Sequence, residues 1–76
     1  MNEKIYKYCQ NFAKNLKMER LSRKLTQKQV AESIGIKTQS YQAYESNVAL
    51  PNIINLLQLV DFFNISIDDL FEIKFK

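Results

Sequence analysis

A chain of 76 residues with 46% hydrophobic and 25% charged residues has room for one hydrophobic core and no second domain, and lies well outside the disordered range. One Gly and one Pro cannot supply the tight turns of a β-sandwich or barrel, while no His and a single Cys leave out structural zinc, Ser-His or Cys-His nucleophile pairs and an intrachain disulfide. The net charge of +3 hides an asymmetry, with eight basic against two acidic residues over 1–30 and three against six over 31–76, so one end offers either a positive field to a polyanion or an ordinary solvated helix face.

The first predicted element runs from about Lys4 to Arg23, where Ile5, Cys9, Phe12, Leu16 and Arg20 recur at three- and four-residue steps on one helix face. Cys9 on that stripe reads as a small core hydrophobe, the alternative being a reactive thiol. Thr26 followed by Gln29 forms a capping box ahead of Val30, Ala31 and Ile34, which starts a short second helix. It must end at Gly35, the residue that enters the left-handed conformation without steric cost. After the brief turn Gly35-Ile36-Lys37, a third helix is predicted from Thr38 to Ser46, with Tyr41 and Tyr44 in the core and Asn47 as its left-handed stop. Asn52 caps a fourth helix whose core stripe is expected at Ile53, Leu56, Leu57, Val60 and Phe63. Asn64 ends it, and Ser66 with Asp69 starts a short fifth helix whose acidic first turn suits the helix dipole. Residues 72–76 alternate apolar and polar, which suits either an extended tail strand or a frayed end. The fold class is therefore all-α, a compact arrangement of five helices in one domain, with residues 1–11 extending the first helix.

Two short helices joined by a three-residue turn containing Gly form a helix-turn-helix, here over residues 26–46. Further along the chain stand Leu25-Thr26-Gln27, Val30-Ala31, Ile34-Gly35-Ile36, Tyr41, Tyr44-Glu45, Pro51 and the run from Leu59 to Phe71. With these residues the stretch from Leu16 to Phe71 resembles the lambda-repressor-like, or Xre-type (Cro/C1), helix-turn-helix family. The resemblance implies a five-helix DNA-binding domain whose third helix enters the major groove, with Thr38, Gln39, Gln42 and Ala43 reading bases. Their chemistry agrees: Gln can hold adenine N6 and N7 with a bidentate pair, Thr can bond any base, and the Ala methyl can meet that of thymine. The competing reading of Gln39 and Gln42 is an ordinary solvated helix surface.

Gln27 matches a position that contacts a backbone phosphate in the family, near the free amides of a helix N-terminus. Lys28, Lys37 and Lys17 are phosphate candidates by charge and nearness to the motif, with Ser40 and the Tyr44 hydroxyl as further ones. The resemblance also implies a structural ion pair between Arg20 and Glu45. Three departures from the family pattern stand out, one being Asn47 in place of the usual Gly after the third helix. Lys37 occupies a capping position often held by Ser or Thr, and the loop from Ser46 to Leu50 has no Lys or Arg, which predicts a shallow salt dependence of binding.

Family members normally bind paired half-sites about 34 Å apart as symmetric dimers. Ile54, Leu59 and Phe62 fall outside the expected core stripe, and Phe71, Ile73 and Phe75 alternate at the end, so these six either form a homodimer interface or complete a small core. The expected function is a sequence-specific regulator, a repressor, binding double-stranded DNA. The rival is a protein-interaction module, an antitoxin or anti-regulator with a protein partner. Neither needs a cofactor, a metal or a small-molecule ligand, and no paired carboxylates or Gly-rich phosphate loop suggest an enzyme. A polar N-terminal stretch and the lack of a long apolar run predict a cytoplasmic protein with no membrane association.

Overall fold

Caps and left-handed stops in the sequence translate directly into element boundaries. The computed structural model describes residues 2–74, which form α1 (Glu3–Ser22), α2 (Gln27–Ile34), α3 (Thr38–Glu45), α4 (Ile53–Phe63) and α5 (Ile67–Phe71). There is no strand among the described residues. The Thr26 hydroxyl accepts from the Gln29 amide and the Gln29 side chain accepts from the Thr26 amide, the full capping box. Asn52 and Ser66 cap α4 and α5 through the amides of Asn55 and Asp69, and Asn2 caps α1.

Gly35 ends α2 at φ 74°, and Asn47 and Asn64 take the same left-handed conformation after α3 and α4. Lys24 and Glu72 do so as well, at φ 58° and 57°, although neither residue type advertises it. A Cβ at Gly35 would meet nothing within 4 Å. Gly35→Ala is therefore expected to cost only the left-handed penalty of about 1 to 2 kcal/mol, and Gly35→Asn less, as read by urea unfolding.

The core gathers Phe12 and Leu16 of α1, Val30, Ala31 and Ile34 of α2, Tyr41 and Tyr44 of α3, Leu59 and Phe63 of α4 and Leu70 of α5. α1 packs against α5 and α3, and α2 against α3 and α4. The α1–α5 seam is also polar: Asn11 donates to the Phe71 carbonyl at 3.3 Å and Asn15 to that of Leu70 at 2.9 Å, so one helix supplies partners for carbonyls that the last turn of the other leaves open.

Two expectations are corrected and one open alternative is decided. The α4 core stripe is Leu56, Leu59, Val60 and Phe63, while Ile53 and Leu57 face outward. Helix α4 is apolar almost all round, so its hydrophobic pattern contained two overlapping stripes and the neighbouring helices selected one. Ile5 is exposed because the first turns of α1 lie beyond the elements that cover Phe12 and Leu16. Of the two alternatives left open for the tail, the strand does not form over residues 72–74: Glu72 is the left-handed cap of α5, and the Ile73 amide closes back on the Asp68 carbonyl. Phe75 and Lys76 lie outside the described residues.

Candidate nucleic-acid interface

Helix α3 is held by one face and free on the other. Tyr41 and Tyr44 point inward, their rings edge to face with centroids 6.4 Å apart. At about 100° per residue, Thr38, Gln39, Gln42 and Ala43 project from the opposite side. Gln39 and Gln42 are exposed, and Thr38 and Ala43 are half-buried. Ser40 is exposed at the start of the same helix. Four base-reading candidates therefore share one outward surface on a rigid element.

An ion pair locks the inner face. The Arg20 guanidinium donates Nε to Glu45 Oε2 at 2.7 Å and an Nη to Oε1 at 2.9 Å, a bidentate fork joining α1 to the last residue of α3. A third donation from Arg20 reaches the Leu25 carbonyl at 2.9 Å and ties in the loop before α2. The side chains are 9% and 2% exposed. Burial alone would raise the Glu45 carboxyl, but the hydrogen bonds from Arg20 and Gln27 hold it below the usual carboxylate range.

The Tyr41 hydroxyl is buried beside this pair and has no hydrogen-bond partner among the described residues; burial pushes its phenol far above the usual range. Removing a hydroxyl that bonds to nothing costs no hydrogen bond. Tyr41→Phe is expected to leave stability unchanged or raise it by up to about 1 kcal/mol in thermal and urea melts, whereas a loss of that size would show that the hydroxyl has a partner.

The phosphate candidates divide. Lys17, Lys28 and Lys37 are exposed, the first on α1, the second in the first turn of α2 and the third as the residue preceding α3. Lys37 makes no side-chain cap, so the first amides of α3 have no side-chain partner, unlike those of the other four helices. Gln27 is not free: its Nε2 donates to Glu45 Oε1 at 3.1 Å, linking the start of α2 to the end of α3. Tyr44 is a correction to the expectation of a phosphate contact, since its ring is buried and its hydroxyl accepts from the Asn55 side chain at 3.2 Å. Nothing in the sequence singles out Asn55, Asn11 and Asn15, because an Asn inside a helix carries no pattern that distinguishes a tertiary contact from solvent.

The expected dimer residues also divide. Leu59 is wholly buried and Phe71 stacks on Phe12 with ring centroids 4.9 Å apart, so both complete the core instead of facing a partner. Ile54 is exposed, Phe62 borders on exposure and Ile73 is half-buried. Phe75 lies outside the described residues. No group of three or more residues able to hold a metal ion occurs among the described residues, and no helix there is long and apolar enough to cross a membrane.

Comparison with known proteins matches residues 16–70 to the helix-turn-helix family. The transcriptional repressor RstR of the cryptic phage CTXphi from Vibrio cholerae is 49% identical over 45 residues, 59% of this chain and 40% of that protein. Two uncharacterized HTH-type transcriptional regulators of Bacillus subtilis are also similar: YobD is 38% identical over 80% of this chain and 51% of its own length, and YqaE 35% over 75% and 49%. The chain thus spans about half the length, or less, of the curated relatives it matches. No solved structure matches significantly.

Proposed function

Since the chain belongs to the helix-turn-helix family of Xre or Cro/C1 type, we propose that it reads a specific double-stranded DNA site through α3 and represses transcription from the promoter it occupies. The observation that carries this reading is the division of α3, whose inner face is fixed by Tyr41, Tyr44 and the Arg20–Glu45 fork while Thr38, Gln39 and Gln42 project outward. A helix so anchored presents base-reading groups without paying to order them first.

Backbone contacts come from Lys28, Lys37 and Lys17, from Ser40, and from the amides at the start of α3. Gln27 contributes its backbone amide, its side chain being engaged with Glu45. Two copies bind an inverted repeat, each α3 entering one half-site of the major groove. The similar RstR carries the name of a repressor, which supports repression over activation, and DNA as the ligand supports a cytoplasmic location.

Selection of bound duplexes from a random pool at moderate salt tests the reading. The expected result is an inverted repeat with A·T pairs at fixed positions in each half. Folded protein that enriches no sequence would overturn it in favour of the protein-interaction module, whose own support is the loop from Ser46 to Leu50, devoid of the cations that usually meet phosphates.

A further inference from the structure

Three helices hold the last two residues of α3. Glu45 takes the Arg20 fork from α1 and the Gln27 side-chain amide from α2, and the Tyr44 hydroxyl accepts from Asn55 Nδ2 of α4 at 3.2 Å. The start of α3 has no such tie, since Lys37 provides no side-chain cap. Helix α3 packs against α1 and α2, and the Tyr44–Asn55 bond is the one side-chain hydrogen bond between α3 and α4 among the described residues.

Asn55 is a surprising residue for its place. It is the third residue of α4, half-buried, with Ile53, Ile54, Leu56 and Leu57 on either side of it in the chain. An aliphatic side chain there would need no polar partner. The carboxamide is instead bonded at both ends, Nδ2 donating to Tyr44 while Oδ1 accepts from Gln58 Nε2 at 3.2 Å. Gln58 thereby fixes which way the amide group faces and holds Nδ2 toward Tyr44. The start of α4 does not depend on this side chain, because the Asn52 cap takes the Asn55 backbone amide at 2.8 Å.

What the bond can set is the rotation of α3 about its own axis. A tyrosine hydroxyl stands at the far end of a rigid ring with two torsions, so holding the hydroxyl holds the helix that carries it. At about 100° per residue, Gln42 and Gln39 stand about 160° and 140° around the helix from Tyr44, one on each side of the opposite line. A turn of α3 by about 10° would carry groups about 6 Å from its axis sideways by about 1 Å, twice the tolerance of about 0.5 Å within which a recognition constellation must be held. The loop after α3 does not resist such a turn. The amides of Val48 and Ala49 both donate to the Ala43 carbonyl, at 3.0 and 3.2 Å, so the loop moves with the helix.

The geometry points to Asn55 as a positioning residue for base recognition: by holding the Tyr44 hydroxyl from α4, it fixes the angle at which α3 presents Gln39 and Gln42. Its effect is on selectivity and runs through Tyr44. This role rests on the reading of DNA by α3; the orientation of α3 by Asn55 does not.

Affinities of the full chain for two probes test the inference: the duplex that wild type enriches from a random pool, and a scrambled duplex of equal length and composition. Both affinities scale with the folded fraction, so their ratio does not respond to a loss of stability alone. Asn55→Leu, which removes the carboxamide and leaves the Asn52 cap, is expected to lower the ratio roughly tenfold with affinity for the scrambled duplex unchanged. Tyr44→Phe should give the same loss and the double variant no further loss, because each removes the same interaction. Asn55→Asp keeps both bonds, its carboxylate accepting from the Tyr44 hydroxyl and from Gln58, and is expected to hold the wild-type ratio. An unchanged ratio in Asn55→Leu, an equal loss on both probes, or losses that multiply in the double variant overturns the proposal.

Backbone amide NMR of the free protein separates this outcome from the reading of DNA. In Asn55→Leu the amide signals from Thr38 to Ala43 are expected to shift, and in Asn55→Asp to stay near their wild-type positions. Shifts confined to Tyr44 and α4 overturn the positioning of α3 whatever the duplexes show. A wild type that enriches no sequence, beside an Asn55→Leu variant whose α3 signals shift, overturns only the reading of DNA.

Discussion

Replacing Arg20 by Met is expected to lower the unfolding free energy by about 3 to 5 kcal/mol, a large share of the total for so small a domain. The cost comes from what is left behind. Glu45, with a side chain only 2% exposed, would keep one donor, the Gln27 amide, in place of three. A buried carboxylate without its cation must either stay charged in a poor environment or take up a proton. The double replacement Arg20→Met with Glu45→Leu is expected to recover most of the loss, since a buried pair exchanged for apolar side chains of similar volume is often neutral. Urea unfolding of the single and double variants checks this, and equal losses in both would show that packing by the arginine stem, not the stranded charge, is responsible.

The same pair sets an acid limit. The folded-state value of Glu45 is below its ordinary value of 4.5, so the carboxylate contributes stability at pH values above that, and the contribution disappears as pH falls through the folded value. Wild-type stability should therefore be flat near neutrality and decline below about pH 4.5, and Glu45→Gln should flatten part of that decline while lowering stability at pH 7. DNA binding by Arg20→Met should fall with the folded fraction, although the Arg20 side chain is buried against Glu45 and Leu25, because α3 loses the tie that orients it.

The second large effect is on selectivity. Gln39→Ala with Gln42→Ala is expected to weaken binding to the selected site by about 1 to 3 kcal/mol for each bidentate contact removed, and to relax the preference for A·T at the corresponding positions. Both side chains are exposed, so melting temperature and helix content should not change. Affinity for unrelated duplex should also hold, since the proposed phosphate contacts from the lysines and amides are untouched. Selection from a random pool beside the wild type reads the effect directly. If the double variant enriches the same sequence with the same strength, base reading belongs to other residues of the helix, or to DNA shape.

Much of this architecture was legible because it rests on local rules. The capping box at Thr26, the stop at Gly35 and the caps at Asn52 and Ser66 are satisfied within four residues of themselves, so the sequence contains both partners. The outer face of α3 was legible for the same reason: once Tyr41 and Tyr44 are placed inside, helix periodicity leaves Gln39 and Gln42 outside. The ion pair came from a different source. Nothing in the spacing of Arg20 and Glu45 predicts it, and the family resemblance supplied it.

The misreadings cluster where the pattern was degenerate. Helix α4 and the segment after it are rich in apolar residues on several faces, so composition could not tell a core side chain from a surface one. Leu59 and Phe71, expected at an interface, fill the core, whereas Ile53 and Leu57, expected in the core, are at the surface. The Tyr44 ring was placed in the core, but the fate of its hydroxyl was not legible, because its partner, Asn55, sits on another helix.

The sequence by itself determined five helices, most of their ends and the helix-turn-helix, since caps, left-handed stops and a 3.6-residue period act over a few residues; the left-handed residues Lys24 and Glu72 were not among the ends it marked. Only the tertiary structure decided which apolar stripe of α4 is buried and which polar side chains tie the helices together. Those outcomes depend on where one helix lies against another, and that is settled by competition among faces for a core too small to hold them all.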